Sequence, residues 1–130
     1  INTVINDLKK KNIKLLIRLN GENIYDKNLF INNDIIVHDL FFEDLSVPSI
    51  NIIKKFMNLI DNTDNNELVA IHCRAGLGRT GLLICIWLII KLNFTPSNAI
   101  AYIRLMRPGS IMGYQGFFLE SLEYFKKFIY

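Results

Sequence analysis

Leu68-Val69-Ala70-Ile71-His72-Cys73-Arg74-Ala75-Gly76-Leu77-Gly78-Arg79-Thr80-Gly81 is the stretch on which the reading of the fold turns. Its first five residues are a short continuous apolar run closed by a histidine, the pattern of a strand buried in a parallel sheet. From about Arg79 to Leu92 the chain is again apolar, now over a length that suits a buried helix. A tight turn with two glycines joins the strand to the helix. The N-terminus of such a helix gathers unpaired N–H groups and the positive end of the helix dipole, so it favours an anion.

The residue types in the turn say which anion and which chemistry. Gly76 and Gly78 let the backbone curl so that the N–H groups of residues 74–79 converge, which makes Arg74, Ala75, Gly76, Leu77, Gly78 and Arg79 a phosphate cradle. Arg79 adds a planar guanidinium that can grip two phosphate oxygens. Cys73 lies in the same field. A thiol of ordinary pKa near ~8.5 is lowered by helix N-termini and nearby cations, so Cys73 is expected as a thiolate nucleophile. Thr80 can donate its hydroxyl to the sulfur, and His72 is expected to support the loop from behind. A Cys at a strand end is more often a small buried hydrophobe, but that reading leaves the two Gly, the Arg and the Thr at these offsets unexplained. Cys85, inside the apolar helix, is expected to do no more than pack.

Outward from the loop, apolar segments of strand and helix character alternate. A helix is expected over residues 3–11 and a strand over 13–19, closed by an Asn20-Gly21 turn. A short helical segment over 26–31 leads to a strand over 34–38, and a loop over 39–47 follows. Pro48 and Ser49 open a helix to about Asp61. Thr95 and Pro96 start another as N-cap and first residue, and it ends before Pro108. Residues 109–114 form a loop. Phe118, Leu122, Phe125 and Ile129 mark one face of a last helix. The alternation implies an α/β fold with a central, mainly parallel sheet flanked by helices.

At 130 residues the chain suits a single domain. It begins at Ile1 and not at Met, so we expect part of a longer protein. The composition, 51% hydrophobic and 21% charged, is that of a globular domain. The longest uncharged apolar run, residues 81–90, is too short for the ~20 residues a bilayer span needs. A net charge of +3 is far from a nucleic-acid footprint, so no nucleic-acid partner is expected. Two cysteines with no CxxC pair exclude a zinc-site pattern and suit a reducing, intracellular compartment, cytoplasm or nucleus. No metal and no cofactor is called for. The turn ends Gly78-Arg79-Thr80 where a Walker loop needs Gly-Lys-Ser/Thr, which weighs against a nucleotide hydrolase.

Ester cleavage needs a proton for the leaving oxygen, and a carboxylic acid can supply it. Asp39, Glu43 and Asp44 all lie in or beside the loop after the second strand, and spacing does not choose among them.

Cys73-x5-Arg79 followed by Thr80 resembles the signature of protein tyrosine and dual-specificity phosphatases. Ile17-Arg18-Leu19-Asn20, His38-Asp39-Leu40-Phe41-Phe42-x-Asp44, the loop from His72 to Gly81, and Arg107-Pro108-Gly109-Ser110 extend the likeness to the mitotic-exit (cell-division-cycle) dual-specificity phosphatases. It runs over residues 13–119. The resemblance implies a cysteine-phosphatase fold and a phosphoprotein substrate, with a preference for phosphoserine before proline. It gives Asp44 the role of general acid, and of base in the second step. It gives Gln115 the placing of the hydrolytic water, and it makes Asp39 a supporting residue beside the acid loop. The pattern departs from that family at Leu45 and Val47, where glycine and threonine are usual, and at Gly116, where a second glutamine is. The connection from Asp44 to Cys73 is also slightly longer, and only the second of the family's two tandem domains is covered. The rivals are a phosphoinositide phosphatase, an RNA 5′-triphosphatase and a catalytically weak phosphopeptide-binding module. Leu77 stands where an inositol-phosphate enzyme would carry a lysine, no basic groove is evident for RNA, and Cys, Arg and acid are all present.

Overall fold

The computed structural model describes residues 2–21, 25–74 and 78–129. Helix α1 (Asn2–Lys10) leads into strand β1 (Ile13–Arg18), and the short α2 (Asn28–Ile31) into β2 (Ile36–Asp39). Then come α3 (Ile50–Asp61), β3 (Leu68–His72), α4 (Gly78–Leu92), α5 (Pro96–Met106) and α6 (Gln115–Phe125), with a closing 3-10 turn, Lys126–Phe128. Among the described residues the sheet has three strands in the order β2-β1-β3, parallel at both pairings, so the α/β expectation stands.

Helices cover both faces. On one, Ile5 of α1 and Phe30 of α2 close over Leu16, Ile35 and Val37. The other carries the main core, in which α4 supplies Leu82, Leu83, Cys85, Ile86, Leu88 and Ile89 against Ile17 and Leu19. Each large apolar side chain buried this fully stabilises the fold by about 1.5–3 kcal/mol before chain entropy is charged against it. Helix α4 therefore packs at the centre of the main core, with its first residues Gly78, Arg79 and Thr80 buried.

Two expectations about burial change. The run at residues 68–72 was expected to be buried, yet β3 lies at a sheet edge, with Leu68 58% exposed and the rest half-buried. The central strand is β1, where Leu16, Ile17 and Arg18 are all buried. On α6 the face turns about the expected line: Leu119 and Leu122 are buried, Phe118 is half-buried and Phe125 is exposed.

Ends of elements follow local chemistry. Ser49 caps α3 by accepting from the Ile52 N–H at 3.2 Å, leaving Pro48 outside the helix. Thr95 does the same for α5 through Asn98 N–H, with Pro96 as the first helical residue. Asn12, Asp34 and Asn93 adopt φ of 58°, 63° and 57° and turn the chain out of α1, α2 and α4. Asn and Asp tolerate this left-handed region better than other non-glycine residues.

Candidate active site

Cys73 follows the last residue of β3, so the strand's direction aims the chain at the N-terminus of α4. Its side chain is buried, and the Thr80 hydroxyl donates to Sγ at 3.2 Å. Thr80 lies in the first turn of α4 and is fully buried, so the hydroxyl cannot swing away to water. Arg79, beside it, is only 1% exposed. Its Nη1 donates to the Phe42 carbonyl at 3.4 Å, and its Nε stands 3.7 Å from Asp44 Oδ1. A buried guanidinium is costly unless an anion faces it.

Asp44 reaches the same point from the loop after β2. Its carboxylate is 62% exposed, and Oδ1 also accepts from the Leu45 N–H at 3.0 Å. Leu45 holds φ at 60°, the conformation in which the family's usual glycine has no steric penalty. Glu43 takes no part in this contact; its carbonyl accepts from the Ser46 hydroxyl and lets the acid loop turn. Of the three candidate acids, only Asp44 is brought to Arg79.

Gln115, the first residue of α6, is fully buried. Its Oε1 accepts from Met112 N–H at 3.0 Å, and its Nε2 donates to the Ser46 carbonyl at 3.3 Å. The side chain therefore ties the loop before α6 to the acid loop. Around Gly78, the first residue of α4, a Cβ would stand 3.5 Å from Asp44 Oδ1, 3.6 Å from Met112 Cε and 3.7 Å from Gln115 Nε2. Acid, glutamine and helix N-terminus thus meet at one spot. Gly78, read in sequence as part of the turn, opens the helix instead. Arg74 is exposed, and Ala75, Gly76 and Leu77 lie outside the described residues.

Behind the loop, His72 Nδ1 lies 3.2 Å from the Cys73 carbonyl and Nε2 lies 2.7 Å from the Tyr25 hydroxyl. Asp39, beside the acid loop in sequence, pairs with Arg18. Its carboxylate accepts from Arg18 Nε at 2.5 Å and Nη2 at 3.0 Å, and Arg18 Nη1 donates to the Tyr25 carbonyl at 2.7 Å. Arg18 also lies over the Tyr25 ring, 4.7 Å from its centroid. The hydrogen bond to Arg18 holds the Asp39 carboxyl below its ordinary range, and the same bond raises the Arg18 guanidinium. Burial raises the Tyr25 phenol. Burial likewise pushes the Cys85 thiol up to about 12, and its S–H points at the Ala99 carbonyl, so Cys85 packs as expected.

Sequence reasoning passed over Arg18, Tyr25 and Arg104. Arg104 donates to the Ser110 and Ile111 carbonyls at 3.1 and 3.0 Å and anchors the loop that presents Gln115. A charged residue ending an apolar strand was a usable signal for Arg18. A lone tyrosine in a loop carried none.

A cysteine at a strand end, a buried arginine in the first turn of the next helix and a carboxylate facing that arginine are groups suited to the chemistry of phosphate esters. The chain belongs to the dual-specificity protein tyrosine phosphatase family, its residues 1–93 matching the family described as "Tc-R-P: Polymorphic toxin system, DSP-PTPase phosphatase". Within that family it is similar to CDC14 phosphatases. It is 42% identical to the tyrosine-protein phosphatase CDC14 homolog of Schizosaccharomyces pombe, over 91% of this chain and 22% of that protein. It is 46% identical to the human dual specificity protein phosphatase CDC14A, over 88% of this chain and 19% of that protein. The chain thus spans about a fifth of the length of these relatives. The solved kinase associated phosphatase, with its catalytic cysteine replaced by serine, shares the fold at a TM-score of 0.83 and 23% identity, covering 95% of this chain and 75% of that one. No helix among the described residues is long and apolar enough to cross a membrane.

Proposed function

We propose that this chain is the catalytic domain of a longer protein phosphatase and hydrolyses phosphate monoesters on proteins through a cysteinyl-phosphate intermediate. The observation that carries the reading is the convergence of Cys73 Sγ, the Thr80 hydroxyl, buried Arg79 and Asp44 at the N-terminus of α4. In the first step Cys73 Sγ attacks phosphorus, the S–P bond forms as the ester P–O bond breaks, and Asp44 protonates the leaving oxygen. In the second, water attacks phosphorus while Asp44 takes its proton, and the P–S bond breaks to return the thiolate. The Thr80 hydroxyl stabilises that thiolate as it leaves. Arg79 and the positive end of α4 hold the charge on the equatorial oxygens throughout. Gln115 keeps the acid loop and its own loop in register, and we assign its amide the placing of the water in the second step.

The rim of the site favours a polypeptide over a multiply phosphorylated ring. Leu45, Met112 and Tyr114 are 55%, 39% and 79% exposed there, apolar surface that suits side chains flanking a phosphoresidue. The two cysteines form no disulfide, in keeping with a reducing compartment, cytoplasm or nucleus.

Substitution at the site tests the mechanism. Cys73→Ser is expected to hold vanadate and to fall below about 1% of wild-type turnover. Asp44→Asn is expected to lower kcat on alkyl phosphates by roughly 10²–10⁴-fold, and much less on aryl phosphates with good leaving groups. Steady-state rates on both substrate classes give the answer. A larger loss from Glu43→Gln, or turnover surviving in the serine variant, would remove the mechanism.

A further inference from the structure

We propose that Arg104 is a positioning residue for the second chemical step, holding a strained turn in the one shape that lets Gln115 bridge to the acid loop. The strain is at Ile111, whose φ is 64°, a region that a β-branched residue enters only under constraint. Its side chain is buried in the main core, which fixes where the residue sits but not how its peptide units are turned. Arg104, in the last turn of α5, supplies that second constraint. Its Nε donates to the Ser110 carbonyl at 3.1 Å and its Nη2 to the Ile111 carbonyl at 3.0 Å. Those carbonyls belong to the peptide units before and after Ile111, so one planar guanidinium sets both planes around the strained residue.

The second of those units carries the Met112 N–H. Across a trans peptide the N–H points away from the carbonyl, so the grip of Arg104 on one side turns the N–H to the other. There it donates to Gln115 Oε1 at 3.0 Å. An N–H can only donate, so this contact assigns the two ends of the Gln115 amide. The oxygen faces Met112, and Nε2 is left for the Ser46 carbonyl, 3.3 Å away in the acid loop. Nε2 is also the end turned to the catalytic helix, 3.7 Å from where a Cβ on Gly78 would stand.

Arg104 thus acts on the site through one peptide unit and one side-chain amide. Hydrogen bonding at the Ile111 carbonyl also polarises that unit and strengthens the Met112 N–H as a donor. Released from Arg104, the turn relaxes toward ordinary backbone angles, the Met112 N–H swings, and the Gln115 amide loses its fixed orientation. Cys73 attack and protonation by Asp44 do not call on that amide; the placing of water does.

The proposal rests on the phosphatase reading for its kinetic arm but not for its structural one. Arg104→Met keeps the reach of the side chain and removes the fork. On an aryl phosphate with a good leaving group the second step sets kcat. With the fold checked by thermal melting, kcat is expected to fall about tenfold, within what a small misplacement of a reacting group costs. KM should fall by the same factor and kcat/KM stay unchanged, because kcat/KM reports only the steps up to the cysteinyl-phosphate. Arg104→Lys, which keeps the charge without the fork, should show the same split and serves if the methionine variant melts early. In a Gln115→Ala background Arg104→Met should lower kcat no further, because its route to the water is gone. Without substrate, hydrogen exchange at the Met112 amide should quicken about tenfold in Arg104→Met relative to the core amides of α4. A fall in kcat/KM as large as that in kcat, an equal loss in both backgrounds, or unchanged exchange at Met112 would overturn the proposal. If the wild type hydrolyses no phosphate monoester, the proposed function fails, and exchange at Met112 still decides whether Arg104 holds the turn.

Discussion

Asp39 and Asp44 are five positions apart in one short segment, yet the structure gives them separate partners. Asp44 faces Arg79 across the site, whereas Asp39 sits in a bidentate bond with Arg18 behind it. The Asp39 pair predicts a pH dependence of stability. Its carboxyl is held below the ordinary value of 3.8, chiefly by the Arg18 hydrogen bond, so the folded state binds its proton less readily than the unfolded chain does. The stabilisation is then present above that ordinary value and is lost as pH falls through the lower folded one. Asp39→Asn should be less stable than wild type in urea at neutral pH, and the gap should close under acid. A gap that stays constant with pH would mean that the charge of Asp39 adds nothing to the fold. At this scale the site is only half legible in sequence. Cys73, Arg79 and Thr80 could be read because they are local, all within one strand-turn-helix. The resemblance made Asp39 a supporting residue beside the acid loop, but its partner Arg18 lies 21 residues upstream, a distance over which sequence pattern carries no geometry.

The elements were more legible than their environments. Strand β3 followed by helix α4, the Ser49 and Thr95 caps and the parallel sheet all follow from patterns in the chain itself. Whether an apolar strand is central or at an edge depends on its neighbours, which is why β3 could be recognised and its burial misjudged. Asn12 and Asn93 turn the chain out of two helices at positive φ. Packing of α4 against the Ser110 loop yields a prediction of its own. A Cβ on Gly81 would stand 3.0 Å from both Cβ and Oγ of Ser110, and Ser110 is itself buried and bonded to the Arg107 carbonyl at 2.8 Å. Alanine gains roughly 0.5–1 kcal/mol over glycine in a helix, but overpacking costs about 1–3 kcal/mol. We expect packing to win, so Gly81→Ala should destabilise the fold by about 1 kcal/mol. It should also lower kcat, because the displaced loop presents Gln115. Ser110→Gly should recover much of both losses, and a neutral alanine variant would show that the loop yields freely.

For the molecule as a whole, the question is how much of catalysis and of selectivity this chain carries. Among the described residues, Thr80 meets Cys73, Arg79 meets Asp44, and Gln115 ties its loop to the acid loop. Selectivity is another matter, for the chain covers only about a fifth of the relatives it resembles. The site rim is apolar at Leu45, Met112 and Tyr114, the net charge is only +3, and position 77 is leucine rather than lysine. A single phosphate on a peptide suits such a rim better than several on an inositol ring. We therefore expect this chain to hydrolyse phosphopeptides and small aryl phosphates and to handle short-chain phosphoinositides poorly. Preference for proline after the phosphoserine should be weak here and stronger in a longer chain, where more surface can contact residues beyond the phosphate. Comparing kcat/KM over matched Ser-Pro, Ser-Ala, Thr-Pro and Tyr phosphopeptides and phosphoinositides, for both lengths, decides between the possibilities. Phosphoinositides ahead by tenfold, about 1.4 kcal/mol in transition-state binding, would overturn the protein-substrate reading. A flat response across the peptides at both lengths would leave the phosphatase and remove the proline preference.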